Sequence, residues 1–261
     1  MNKKLVVLIL SAIVFLSCAV LGISTVYRVE SVTVEASLVS EEAKGKTASL
    51  QKELETLYER ESIFFTDAKK ADALLQSYPY FRVTGFEKIC PNRILFKIIE
   101  NAEVYAVLNA TGDGYYILGE DGSMLDEREH TVNSLTGAEN VLLDNVRVTC
   151  QNGQIPKGDE HFLPMLDLAR FLSQELGGIR SNVVKIEVFV EAPETIYRVT
   201  MREGVKLYFG NPSEQVEKKV KLAVNEYMAL TYEEKLTGRI VISERGEEIF
   251  ASYASKDEFD R

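Results

Sequence analysis

The fold is decided by the stretch Glu61–Leu108, which reads ESIFFTDAKKADALLQSYPYFRVTGFEKICPNRILFKIIENAEVYAVL. An apolar stripe with helical spacing predicts a helix over Asp67–Ser77. Pro79 follows it and favours its end, because proline lacks the N–H donor that a helix needs. Alternating apolar residues then predict strands over Phe81–Ile89 and Arg93–Glu100, joined by a proline-containing turn. The stretch therefore predicts a helix followed by a hairpin.

The residues before this stretch complete a small α+β unit. A run of β-branched residues from Val29 favours a strand. Ser40 can cap a helix that runs to about Tyr58, and Thr66 can cap the helix that follows. We therefore predict a domain of order strand, helix, helix, strand, strand over residues 28–101.

The residues after it predict a larger, mostly antiparallel β domain with flanking helices over residues 103–253. Short alternating segments separated by glycines are typical of strands. One helix is expected from about Glu160 to Leu176, and a second is expected to begin at Asn211, which can act as its cap. The chain is thus predicted to be α+β, and Ala254–Arg261 is expected to be a solvated tail.

The start of the chain predicts a membrane segment. Leu5–Val26 contains 22 residues and no charge, and a helix of that length spans about 33 Å, more than a hydrocarbon core of about 30 Å. Lys3 and Lys4 precede it, so residues 1–4 are expected in the cytoplasm and the folded domains outside. This predicts a single-pass protein of the plasma membrane. A cleaved signal peptide and a lipid-modified Cys18 are alternatives that the sequence leaves open.

Composition excludes several classes of function. The chain has 261 residues, 40 acidic and 30 basic side chains, and a formal charge of −10. This balance argues against nucleic-acid binding, which depends on basic side chains that neutralise phosphates. Two histidines and three cysteines are too few for a zinc cluster or a disulfide framework.

The sequence assigns no catalytic, metal or cofactor site. It lacks the strand–turn–helix nucleophile motif, the phosphate-binding loop and the paired-histidine metal motif. His130 and His161 lie beside acidic residues, and we interpret both as surface imidazoles. Cys90 and Cys150 can either pair or remain free thiols. The sequence thus predicts a non-enzymatic protein.

The last hairpin is the candidate partner-binding site. Its second strand is predicted to end the sheet, and an edge strand offers unpaired N–H and C=O groups to which a partner can add its own strand. Alternation places Ile249, Ala251 and Tyr253 on one face of that strand. The alternative is an ordinary edge protected by its acidic residues. The candidate residues are Glu247, Glu248, Ile249, Phe250, Ala251, Ser252 and Tyr253.

In the order and spacing of its parts the chain resembles the bacterial division family FtsQ/DivIB. The resemblance is carried by Phe64, Phe65, Asp67, Pro79, Val83, Pro91, Ile94, Ile98, Glu100, Val104 and Ala106. It continues through Tyr116–Leu125 and through Phe209-Gly210, which leads into a helix with Lys218, Lys219 and Lys221. The chain departs from the family pattern at Asn101–Glu103 and from about Glu129 to Gln154.

The resemblance implies that residues 28–101 form a POTRA domain and that the protein is a divisome scaffold, enriched at the division septum, that recruits the septal wall-synthesis machinery. It also implies that the terminal strand docks a coiled-coil membrane protein of the FtsB/DivIC kind, held with an FtsL-like protein, and that other divisome proteins contact the POTRA domain. A membrane-anchored wall hydrolase and a POTRA-type translocation component are the competing hypotheses.

Overall fold

The computed structural model describes residues 11–17, 25–39, 41–151, 153–191, 194–211, 214–245 and 248–255. The chain divides into two compact α+β units, Met1–Asn101 and Ala102–Arg261. Each unit has its own sheet and its own hydrophobic core.

The predicted transmembrane helix is corrected by this structure. Among the described residues, no helix combines the length and the apolar character that crossing a membrane requires. Residues 5–10 and 18–24, including Cys18, lie outside the described residues. The single-pass topology and the plasma-membrane location inferred from this helix are corrected with it.

The first unit is a three-stranded sheet covered by one long helix. Its elements are β1 (Ser31–Ser37), α1 (Glu41–Tyr58), a 3-10 turn (Ala68–Ala71), α2 (Asp72–Leu75), β2 (Phe81–Ile89) and β3 (Arg93–Glu100). The strand order is β1-β3-β2, with β1 parallel and β2 antiparallel to β3. The core takes one stripe from α1 and alternate residues from β3: Leu50, Leu54, Tyr58, Ile94, Phe96 and Ile98.

The second helix of this unit is shorter than predicted. Instead of one helix over Asp67–Ser77, the chain forms the 3-10 turn and the four-residue α2. Thr66 does not cap it, because its hydroxyl donates to the Ile63 carbonyl at 2.9 Å. The Asp67 carboxylate caps the turn instead, accepting from the Lys70 amide at 3.2 Å.

The second unit is built on a ten-stranded sheet. Its strands are β4 (Glu103–Asn109), β5 (Tyr115–Gly119), β6 (Met124–Arg128), β7 (Val141–Thr149), β8 (Lys157–Gly158), β9 (Val183–Glu191), β10 (Glu194–Met201), β11 (Lys206–Gly210), β12 (Arg239–Arg245) and β13 (Glu248–Ala254). Its helices are α3 (Phe162–Leu176), α4 (Val216–Ala229) and α5 (Tyr232–Leu236). The order is β13-β12-β11-β10-β9-β7-β4-β5-β6, and β8 pairs with β7.

The sheet is mixed but mostly antiparallel, as predicted: six of its nine described strand pairs are antiparallel. The pairs β4–β7, β7–β9 and β11–β12 are parallel. Parallel neighbours need a long crossover connection. Helix α3 lies in the connection before β9, and helices α4 and α5 lie in the connection between β11 and β12. Residues from α3 and α4 form the core with one face of the sheet.

Two boundaries in this unit also differ from the prediction. Helix α4 begins at Val216, and its N-cap is Gln215 (φ 49°), which makes no capping side-chain bond. Asn211 therefore does not cap it. At the end of the chain, Ala254 belongs to β13, so the strand extends into the predicted tail, whose residues 256–261 lie outside the described residues.

The two places where the sequence departs from the family pattern contact each other. Glu103 is buried and accepts bonds from Arg128 Nη2 at 2.8 Å and from Ser134 Oγ at 2.6 Å. Asn133 Nδ2 donates to the Glu103 carbonyl at 3.0 Å. The carboxylate thus holds the segment after β6 against the start of β4, and removing either partner of such a buried pair is costly.

Candidate partner-binding edge

Strand β13 ends the large sheet. It pairs with β12 in an unbroken antiparallel register from Arg245↔Glu248 to Arg239↔Ala254. No described strand pairs with its outer side. Six of the seven candidate residues, Glu248 to Tyr253, therefore lie on this edge strand, while Glu247 lies outside the described residues.

The side chains of β13 alternate between the core and the solvent. Ile249, Ala251 and Tyr253 are partly buried and pack against the core. Glu248, Phe250 and Ser252 are exposed. Phe250 is 44% exposed, so this edge strand presents a large apolar side chain that the fold does not bury.

The direction of the backbone groups on β13 follows from the register of its neighbours. The Lys206 amide in β11 donates to the Gly238 carbonyl at 3.2 Å, and Lys206 pairs with Arg239. In a parallel ladder this directs the N–H and C=O of Ile240 toward β11. Backbone groups alternate in direction along a strand, so those of Val241 point toward β13.

The backbone groups of β13 alternate in the same way between β12 and the outer edge. Val241 and Ser243 are opposite Ser252 and Phe250, so these residues exchange the ladder hydrogen bonds. It follows that the N–H and C=O groups of Ile249, Ala251 and Tyr253 point to the outer edge. The site is therefore a short row of three donors and three acceptors, available for main-chain pairing.

The opposite edge of the sheet is closed by local contacts. The Met124 amide of β6 donates to the Gln154 carbonyl at 2.8 Å, and the Met124 carbonyl accepts from the Gly153 amide at 2.9 Å. Further along β6, Arg128 Nε donates to Asp126 at 2.8 Å. Capped backbone groups and charged side chains both discourage strand addition.

A groove lies on the same face of the sheet as Phe250. The registers place Tyr208 and Val241 on this face. Together with Ile196 and Ser243 they line a cavity of about 340 Å³ that is open to solvent. The groove has both apolar and polar lining residues, among them Asn211 and Glu244, and with the exposed Phe250 beside it this face is suitable for contact with a protein surface.

One carboxylate on this face is paired with two cations. Glu187 accepts from Lys185 Nζ at 2.8 Å and from Arg198 Nε at 2.9 Å. Burial acts to raise the pKa of Glu187, but the bonds from these two cations outweigh it and lower the pKa. The Arg198 guanidinium also lies 4.7 Å from the Phe189 ring centroid. The carboxylate is held ionised in ion pairs, an arrangement unsuited to a general base.

The residues considered for chemistry lie apart from this edge strand. His161 precedes α3, and its Nδ1 is 3.4 Å from the Tyr197 hydroxyl. His130 is exposed, and Cys90 and Cys150 are free thiols. Among the described residues, no group of three or more histidine, cysteine or acidic side chains could hold a metal ion.

Lys219 lies beside the edge, and from the sequence it was named only as part of the lysine-bearing helix, with no role there. Its side chain is fully buried within α4. Its position is a further sequence signal, because Lys219 lies at helical spacing among the apolar residues Val216, Val220 and Ala223.

The comparisons with known proteins do not assign a family. Neither the protein-family models nor the curated proteins contain a match to this chain.

Proposed function

We propose that this protein is a non-enzymatic scaffold that captures a partner by strand addition at the outer edge of β13. The observation that carries the proposal is the outward row of backbone groups on Ile249, Ala251 and Tyr253. Main-chain pairing supplies the attachment, and the exposed Phe250 supplies an apolar contact on one face.

The cellular role rests on the resemblance to FtsQ/DivIB. On that basis the partner is a coiled-coil protein of the FtsB/DivIC kind, bound together with an FtsL-like protein. The scaffold gathers these and other divisome proteins so that septal wall synthesis proceeds where they assemble. The acidic charge of the chain, −10, favours a shaped protein surface over a polyanion as the ligand.

Hydrogen exchange of single amides, measured on the full chain with the FtsB/DivIC-like protein of the same cells, tests the proposal. Free in solution, the outward amides of Ile249, Ala251 and Tyr253 are expected to exchange rapidly, whereas those of Phe250 and Ser252 are protected by β12. At a partner concentration of about 100 times Kd, exchange at the three outward amides should slow by about 100-fold.

The β6 edge provides the internal control for this experiment. Its Met124 amide is already bonded, and its exchange should not change. A complex that forms without slowing exchange at the three outward amides would refute strand addition as the mode of binding.

A further inference from the structure

Lys219 is the most deeply buried charged side chain near the edge strand. Its side chain has no exposed surface, and it projects from the first turns of α4. A buried ammonium group is stable only when its hydrogen-bond donors are satisfied. The hydrogen-bond acceptors of the Lys219 amine therefore show which segments of the fold this side chain holds together.

The amine has three donors, and the structure gives it three acceptors. It donates to the carbonyls of Gly210 and Asn211, each at 2.8 Å. It also lies 2.5 Å from Glu244 Oε1. All three N–H groups are thus used, one by the last residue of β11, one by the residue that follows it and one by β12.

These contacts hold the end of β12 that pairs with the start of β13. Glu244 is opposite Ile249, the first residue of β13 whose backbone N–H and C=O point to the outer edge. The N-cap residue of α4, Gln215, makes no capping side-chain bond, and Lys219 supplies a polar link between the start of this helix and the sheet. The link joins α4, the end of β11 and the end of β12 at a single atom.

We propose that Lys219 and Glu244 are positioning residues that keep the β12–β13 hairpin in the conformation to which a partner strand adds. This inference rests on the proposed function, because it concerns the same edge. Without the Glu244 carboxylate, the amine keeps its carbonyl acceptors at Gly210 and Asn211. The end of β12, however, loses its contact with Lys219. The Glu248 end of β13 then separates from β12, and the fraction of molecules with a continuous edge falls.

The test is Glu244→Ala in the full chain, with two readouts. The Phe250 amide, which faces β12, should lose its protection and exchange faster than in the wild type. The Val199 amide in β10 should keep the wild-type exchange rate. The Kd for the FtsB/DivIC-like protein should rise about three- to tenfold, because affinity scales with the competent fraction. Glu244→Gln retains an oxygen acceptor for Lys219 and should recover most of both effects.

Glu217→Ala is the matched control. It removes a carboxylate that lies 2.7 Å from Lys221 in an exposed pair on the same helix, and neither readout should change. Wild-type protection of Phe250 in Glu244→Ala would overturn the inference. Equal acceleration at Val199 and Phe250 would also overturn it, because the effect would then be global unfolding.

The two readouts separate this inference from the proposed function. If the wild-type chain does not bind the coiled-coil protein, the proposed function fails. The exchange of Phe250 in Glu244→Ala still decides whether the lysine holds the hairpin.

Discussion

Ala251→Pro removes a single hydrogen-bond donor that the fold itself does not use. The Ala251 amide points to the outer edge of β13, whereas the amides of Phe250 and Ser252 point to β12. Proline is tolerated on edge strands where the missing N–H would face solvent. We therefore expect the variant to fold, with a change in unfolding free energy below about 1 kcal/mol.

The expected loss of binding follows from the hydrogen bond that the partner can no longer make. A backbone hydrogen bond contributes a net ~0.5–1.5 kcal/mol, and the unpaired carbonyl left on the partner strand costs about 1–3 kcal/mol when it is buried. A loss of about 1–3 kcal/mol raises Kd by about fivefold to 150-fold. Titration calorimetry with the FtsB/DivIC-like protein measures this directly.

Ser252→Pro is the matched control, because its amide donates to Val241 within the ladder. This substitution should destabilise the second unit by about 1–3 kcal/mol, which lowers Tm by about 2–12 °C. Wild-type binding by Ala251→Pro would refute strand addition at this edge. The reasoning is also refuted if Ala251→Pro lowers Tm as much as Ser252→Pro does, because the outward direction assigned to the Ala251 amide would then be wrong.

Two further predictions concern an exposed and a buried side chain. Phe250→Asp should raise the Kd for the coiled-coil partner at least about tenfold while changing stability by less than about 0.5 kcal/mol; Val190→Asp, at a 64% exposed site on β9, should change neither quantity. For Glu103, burial acts to raise the pKa, but bonds from Arg128 and Ser134 outweigh it and lower the pKa below the ordinary 4.5. The stability that Glu103 contributes is thus present above pH 4.5 and lost as pH falls through the lowered pKa. In urea unfolding, Glu103→Gln should be less stable than wild type at pH 7 and lose less stability between pH 5 and pH 3; parallel pH profiles for the two proteins would contradict this.

Local sequence patterns predicted the elements whose signals are local. The alternation of β2 and β3 and the proline turn between them gave both strands within Phe81–Glu100, and the stripe of α1 ended at Tyr58 as expected. The pattern failed where tertiary contacts decide. Asn211 has the sequence of a helix cap, but the carbonyls of Gly210 and Asn211 bond to Lys219, and the helix starts later. Helix α5 was missed although its capping box, Thr231 with Glu234, is readable in the sequence.

The candidate site was predictable in its side chains but not in its backbone. Period-two alternation separates Ile249, Ala251 and Tyr253 from Phe250 without any structure. Either of the two alternating sets of residues in β13 could direct its N–H groups outward, and the pairing of β11 with β12 decides which set does. That parallel pairing requires a helical crossover between segments that are distant in the sequence. Lys219 was equally hidden, because a lysine on a helix is most often solvated.

An open strand edge can recruit a partner, but it can also pair with another copy of the same chain. The β6 edge avoids this through bonds from Gly153 and Gln154 and through charged side chains. The outward side of β13 has no comparable bonds among the described residues, and it adds an exposed Phe250. Two copies that paired through β13 would bring together chains that each carry a charge of −10, and this repulsion opposes the pairing. A partner without that excess of acidic charge experiences less repulsion, so the same edge can stay accessible to it while self-pairing is disfavoured.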